Sequence, residues 1–119
     1  MRVALVSPYS LSVPGGVQGQ VLGLARALRR AGHEAVVVAP AEAPPDVGGL
    51  PAEALVVVGR SLPFPANGSV ARLAVGPASA ARTLRALGRL APDVVHLHEP
   101  LAPGVTWAAL ARPGPKVGT

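Results

Sequence analysis

The sequence predicts an α/β fold, Rossmann-like, with a doubly wound and mostly parallel sheet, and three observations lead there. Short runs rich in Val, Ala and Leu recur at residues 3–6, 35–39, 55–58 and 94–98, each brief enough for a strand buried on both faces. Between them lie segments whose apolar residues return at helical spacing. Turn formers separate the two kinds of segment, so strand and helix alternate in the order that builds a parallel sheet.

The elements follow in turn. Val3 to Val6 forms the first strand, and the long loop after it, Pro8-Tyr9-Ser10-Leu11-Ser12-Val13-Pro14-Gly15-Gly16-Val17-Gln18, leads into a helix over Val17 to Ala31. Val17, Val21, Leu24, Ala25 and Leu28 form its apolar stripe, and Arg26, Arg29 and Arg30 lie off it, near the end where cations suit the helix dipole. Gly32 caps that helix. Ala35 to Ala39 makes a second strand ended by Pro40, and a Pro/Gly-rich loop runs over 40–51. Leu55 to Val58 is the third strand, Leu62 to Ser69 reads as a loop, and Val70 to Val75 as a short edge strand. Pro77 opens a helix as its first residue, with Ala81, Leu84, Leu87 and Leu90 or Ala91 as its apolar face. Val94 to His98 is the fourth core strand, 102–111 a helix, and Lys116 to Thr119 the opening of a further strand. A parallel strand ordinarily feeds a covering helix, so the expectation is an incomplete sheet with an unfinished edge.

Composition narrows the function. The 119 residues suit one domain, half of them are hydrophobic and 14% are charged, which excludes a disordered chain. The net charge is +5, yet Trp, Tyr and Phe occur once each, too few for a base-stacking surface, so a nucleic-acid partner is not expected. Cysteine is absent, which rules out disulfides and thiolate metal sites. No apolar run approaches the roughly 20 residues of a membrane span, and the N-terminal run is too short for a signal-peptide core, so a cytoplasmic location is expected.

Function is most legible in the first loop. It sits at the carboxyl end of the first strand, the edge where open α/β sheets bind ligands. Adjacent glycines at a helix start let backbone N–H groups approach an anion that the helix dipole also favours. The spacing Gly-Gly-x-x-Gly, ending at Gly19, also invites a dinucleotide-binding oxidoreductase reading. That fingerprint needs a shorter strand-to-helix turn and the pattern G-x-G-x-x-G. His96, His98 and Glu99 are potential metal ligands, but no third element supplies a partner, so no metal is expected.

Four segments in order carry a resemblance: the first loop, Ala31-Gly32-His33-Glu34, Asn67-Gly68-Ser69-Val70-Ala71-Arg72, and Asp93-Val94-Val95-His96-Leu97-His98-Glu99-Pro100. Through them the chain resembles the N-terminal half of the family 4 retaining glycosyltransferases of GT-B fold, most closely the bacterial phosphatidylinositol alpha-mannosyltransferases. The resemblance implies a two-domain hexosyltransferase in which residues 1–119 are the acceptor side and a second, donor-binding domain lies outside this chain. It implies a nucleotide-sugar substrate, GDP-mannose first among them, with no covalently bound cofactor. Tyr9, Gly15 and Gly16 would face the donor. Gln18, Ala66, Asn67, Ser69 and Arg72 would face a phosphatidylinositol-like or other polar acceptor, Arg72 being suited to a phosphate. His98, Glu99 and Thr119 would line the cleft, and the family's catalytic His, in a Thr-Phe-His-Thr type segment, falls just past Thr119.

Three positions depart from the pattern: Ser12 stands where an Asp is common, Ala66 where a Tyr is, and Gln20 where a His is. They leave the acceptor open. Arg82, Arg85 and Arg89 share a helix face that is either simply solvated or drawn to anionic lipid at the inner face of the cell membrane. A non-catalytic module that self-associates as a homodimer through its unfinished sheet is the alternative from another class. On either reading the isolated piece is expected to lack turnover.

Overall fold

The computed structural model describes residues 1–13, 15–42, 47–66, 69–74 and 76–119, with backbone alone at 64–66 and 69–73. The main sheet has five strands: β1 (Arg2–Val6), β2 (Glu34–Ala39), β3 (Leu55–Val57), β6 (Val94–Leu97) and β7 (Lys116–Gly118). Their order is β3-β2-β1-β6-β7 and every pairing is parallel. β4 (Leu62–Ala66) and β5 (Ser69–Leu73) form a separate antiparallel pair. Among the described residues three α-helices complete the fold, α1 (Gly16–Arg30), α2 (Pro77–Leu90) and α3 (Val105–Ala111), with a single 3-10 turn at Ala52–Ala54.

Alternation along each strand divides the core in two. Val3 and Leu5 of β1, with Ala35, Val37 and Ala39 of β2, pack under Val21, Leu22 and Ala25 of α1. Ala4 and Val6 of β1, Val38 of β2, and Val95 and Leu97 of β6 pack instead with Ala86 and Leu87 of α2 and Val105 and Ala109 of α3. Successive side chains of a strand point to opposite faces, so a run such as Val-Ala-Leu-Val serves both layers. The doubly wound arrangement follows from it.

Helix ends match their sequence signals. α1 closes with His33 N–H donating to Leu28 O and Gly32 N–H to Arg29 O, the paired bonds of a Schellman motif. Gly32 holds φ +92°, a conformation that costs a side-chain-bearing residue roughly 1–2 kcal/mol. At the amino edge of the sheet, Arg2 bonds three elements: its N–H reaches Asp93 at 2.6 Å, its Nε pairs with Glu34 at 2.9 Å, and its Nη1 donates to Leu90 O at 2.5 Å.

Three expectations need correction. Leu62 to Ser69 reads as a loop because of its prolines and turn formers, yet Leu62–Ala66 is a strand in register with Ser69–Leu73. Pro63 and Pro65 share one parity, so Leu62, Phe64 and Ala66 are left to supply the N–H groups of the ladder, and the prolines fall where no donor is needed. The buried face of α2 is Ser79, Thr83, Ala86 and Leu87; Ala81 is exposed and Leu84 is 43% exposed. Small residues let α2 approach the sheet closely, and the Thr83 hydroxyl is satisfied by donating to Ser79 O at 2.7 Å. The last helix begins at Val105 rather than 102, because 99–104 form turns ending at Gly104, φ +97°.

Leu5 is fully buried in the central strand. Leu5→Ala is expected to destabilise the fold by about 2–5 kcal/mol, read from the shift in urea midpoint.

Candidate functional site

β1 and β6 are neighbours whose continuing chains depart to opposite faces, β1 into α1 and β6 into α3. A crevice opens at the carboxyl ends of such a pair. The residues arriving there are 7–13 of the loop, Gly15 and the start of α1, and His98 and Glu99.

The loop is held by its own serines and by one carboxylate. Tyr9 N–H donates to Ser7 Oγ at 3.2 Å, Ser12 N–H to Ser10 Oγ at 3.2 Å, and Leu11 N–H to Pro40 O at 2.9 Å. Glu42, beyond β2, accepts from Ser10 Oγ at 2.5 Å and from Ser61 N–H at 2.7 Å as well as from the Ser61 hydroxyl, while its own N–H donates to Ser12 Oγ at 2.9 Å. One side chain thus fixes the loops after β1, β2 and β3. Sequence reasoning missed Glu42, because its partners lie 19 to 32 positions away and no local motif marks it.

Gly15 and Gly16 at the head of α1 are exposed. Gly15 is the N-cap, no side chain among the described residues caps the helix, and no acidic residue occupies its first turn. Gly19 N–H makes the first helical bond, to Gly15 O, so the amides of Gly16, Val17 and Gln18 precede the ladder at the positive end of the dipole. A Cβ at Gly16 would meet nothing within 4 Å, whereas one at Gly15 would lie 2.6 Å from Gln18 Oε1. The Gln18 side chain ties helix to loop, its Nε2 donating to Ser10 O at 3.2 Å.

Across the crevice, His98 is 2% exposed, and its ring stacks on His96 with centroids 4.4 Å apart. Burial, with a smaller contribution from His96, lowers the His98 pKa to about 4, so its ring is neutral at physiological pH. Its Nε2 is buried and has no hydrogen-bond partner among the described residues. Burial also lowers the pKa of His96, whose Nε2 lies 2.5 Å from Thr119 Oγ1. Thr119 is bound further through its N–H to Leu97 O at 2.9 Å and its carbonyl, which accepts from Glu99 N–H at 2.8 Å. Glu99 has φ +51°, strained for a residue with a side chain. Burial first and the Glu99 charge second raise the Tyr9 pKa, which keeps the phenol protonated and able to donate.

The fold therefore brings Tyr9, Gly15, Gly16, Gln18, His98, Glu99 and Thr119 to one edge of the sheet. Arg82, Arg85 and Arg89 lie apart, beside β3. Ala66, Ser69 and Arg72 belong to the β4–β5 pair by backbone, and Pro14 and Asn67 lie outside the described residues. Among the described residues no group of three His, Asp or Glu side chains is placed to hold a metal ion.

Topology and edge together define a parallel α/β domain with an exposed helix start at the carboxyl edge of its sheet. The profile of glycosyltransferase family 4 matches residues 14–119, and the chain belongs to that family. It is 49% identical over 120 positions to a phosphatidyl-myo-inositol mannosyltransferase of Mycobacterium leprae (strain TN), covering 100% of this chain and 31% of that protein. A protein of the same name from Propionibacterium freudenreichii is 45% identical over 114 positions, covering 92% and 30%. A GDP-mannose-dependent alpha-mannosyltransferase of Mycobacterium tuberculosis (strain CDC 1551 / Oshkosh) is 42% identical over 117 positions, covering 94% and 29%. The chain spans less than a third of the length of these curated relatives.

The lowered His98 pKa fixes the sign of a pH dependence. Unfolded, the ring takes a proton as pH falls through its ordinary 6.5; folded, it resists until about 4. The unfolded state binds more protons in that window, so stability from this group is full above it and is lost as pH falls across it. His98→Phe, which keeps a ring on the stack, is expected to flatten the decline in urea midpoint between pH 7 and 5.

Proposed function

We propose that this chain is the acceptor-side part of a retaining glycosyltransferase that moves mannose from GDP-mannose to a hydroxyl of a phosphatidylinositol-like lipid. Family membership over residues 14–119 and the names of the relatives support the chemistry. The observation that carries it is the exposed, uncapped Gly15–Gly16 start of α1 at the ligand edge of the sheet.

In this reading the donor diphosphate sits over the amides of Gly16 and Val17. Negative charge grows on that diphosphate as the glycosidic bond breaks, and preorganised N–H dipoles stabilise it without reorganising. Tyr9, kept protonated by burial and Glu99, donates a hydrogen bond to an oxygen of the transferred sugar or the acceptor. Gln18 holds the loop at the spacing that lets the two act on one ligand. Arg72, with Asn67 and Ser69, takes the acceptor phosphate.

Arg82, Arg85 and Arg89 are exposed on α2, and no helix among the described residues is long and apolar enough to cross a membrane. We assign the arginines to peripheral contact with an anionic membrane surface, where the acceptor lipid resides.

Two experiments test the proposal. Because a Cβ at Gly16 fits the fold but occupies the approach to its amide, Gly16→Ala in the full-length protein should leave the melting temperature unchanged and lower kcat/KM for GDP-mannose by about tenfold or more. Unchanged kinetics would remove the diphosphate from this helix start. In flotation, the protein should rise with phosphatidylglycerol vesicles and not with phosphatidylcholine vesicles, and salt should release it. Equal flotation with both would remove the membrane assignment.

A further inference from the structure

Beside the edge strand β3 lies a groove of about 350 Å³ that belongs to neither the crevice nor the core. Its floor is apolar: Val58 and Ala86 are buried, and Val56 and Leu90 are half-buried against the same core layer. Its rim carries Arg82, Arg85 and Arg89, all exposed. Among the described residues no carboxylate pairs with any of the three, although Arg2 does find Glu34.

An apolar trough under three guanidinium groups, none paired with a carboxylate among the described residues, suits a ligand with one alkyl chain and one anionic head. A purely solvated helix face needs no trough, and a simple phosphate site gains nothing from a valine and leucine floor. The groove is at the lower end of the volumes typical of small-ligand sites, which fits one chain rather than a whole diacyl lipid. β3 is only three residues long, too short an edge for an added peptide strand to gain much from its backbone.

We propose that this groove seats a single acyl chain of an anionic lipid, with the lipid phosphate bound by Arg82, Arg85 and Arg89. The proposal deepens the membrane reading above, since it uses the same arginines, but it adds a tail-binding site that surface attraction does not require. Seated this way, the lipid would hold α2 against the bilayer by one withdrawn chain as well as by charge, and the contact would resist salt better than charge alone.

The test removes the bilayer. Calorimetric titration of the protein with dodecyl phosphate below its micellar concentration should give saturable binding of one molecule, at least about tenfold tighter than inorganic phosphate or the neutral detergent dodecyl maltoside. Ala86→Leu, which fills the floor, should weaken dodecyl phosphate binding and leave low-salt flotation on phosphatidylglycerol vesicles intact, while lowering the salt concentration that releases the protein. Arg82→Glu/Arg89→Glu, both on the exposed rim, should weaken both; this pair keeps the test decisive if Ala86→Leu fails to fold. Equal affinity for dodecyl phosphate and inorganic phosphate, or for dodecyl phosphate and dodecyl maltoside, would overturn the proposal. Flotation on anionic vesicles without any binding of monomeric dodecyl phosphate would also overturn it, while leaving the surface-attraction reading standing. Dodecyl phosphate binding without flotation would keep the groove and discard the membrane reading.

Discussion

Everything in this molecule depends on burying β1 on both faces. A parallel strand cannot reach its neighbour by a tight turn, so each pairing demands a crossover, and a right-handed crossover changes face when the chain changes direction across the sheet. The chain runs outward from β1 through β2 to β3, then returns to β1's other side with β6 and continues to β7. α1 is thereby forced to one face and α2 and α3 to the other. The gap where the two directions part is a by-product of that packing, and the candidate site residues collect in it.

What the gap receives differs from the core in kind. The core is Val, Leu and Ala in two layers. The edge above it is built from serines, glycines, two glutamates and two stacked imidazoles, groups that bond the backbone or leave it open. Glu42 shows how such an edge is made stiff. Loops gain little from apolar contact, so a carboxylate bridging Ser10 and Ser61, with its own backbone bonded to Ser12, supplies the rigidity that packing supplies elsewhere. The loop carrying Tyr9 is consequently a shaped surface.

Much of this was legible in the residues. The five strands of the main sheet and the three α-helices were marked by composition and period, with ends that coincide or are displaced by at most three positions. The Gly15–Gly16 helix start was legible because glycine pairs at that place have a backbone consequence. The β4 strand was hidden because Pro63 and Pro65 suggest a loop unless the partner strand and its parity are known. α2 was turned from its expected face because Thr83 and Ser79 look polar, and only the internal hydroxyl bond makes their burial cheap. Glu42 was hidden for another reason: it joins chain segments far apart in sequence and has no local signature. The His96–His98 stack, by contrast, follows from two histidines two positions apart at the end of one strand, a spacing visible in the residues.

The alternating prolines of β4 have a wider consequence. An open strand edge is a template for other chains, and cells answer it with charge, shortness or a missing donor. Here two of the five positions in β4 lack an N–H on the side away from β5. A foreign strand arriving there would find acceptors without matching donors and could not propagate a ladder. The β4 edge of this pair is therefore closed to amyloid-like recruitment by its own covalent structure, and that protection does not depend on pH or salt.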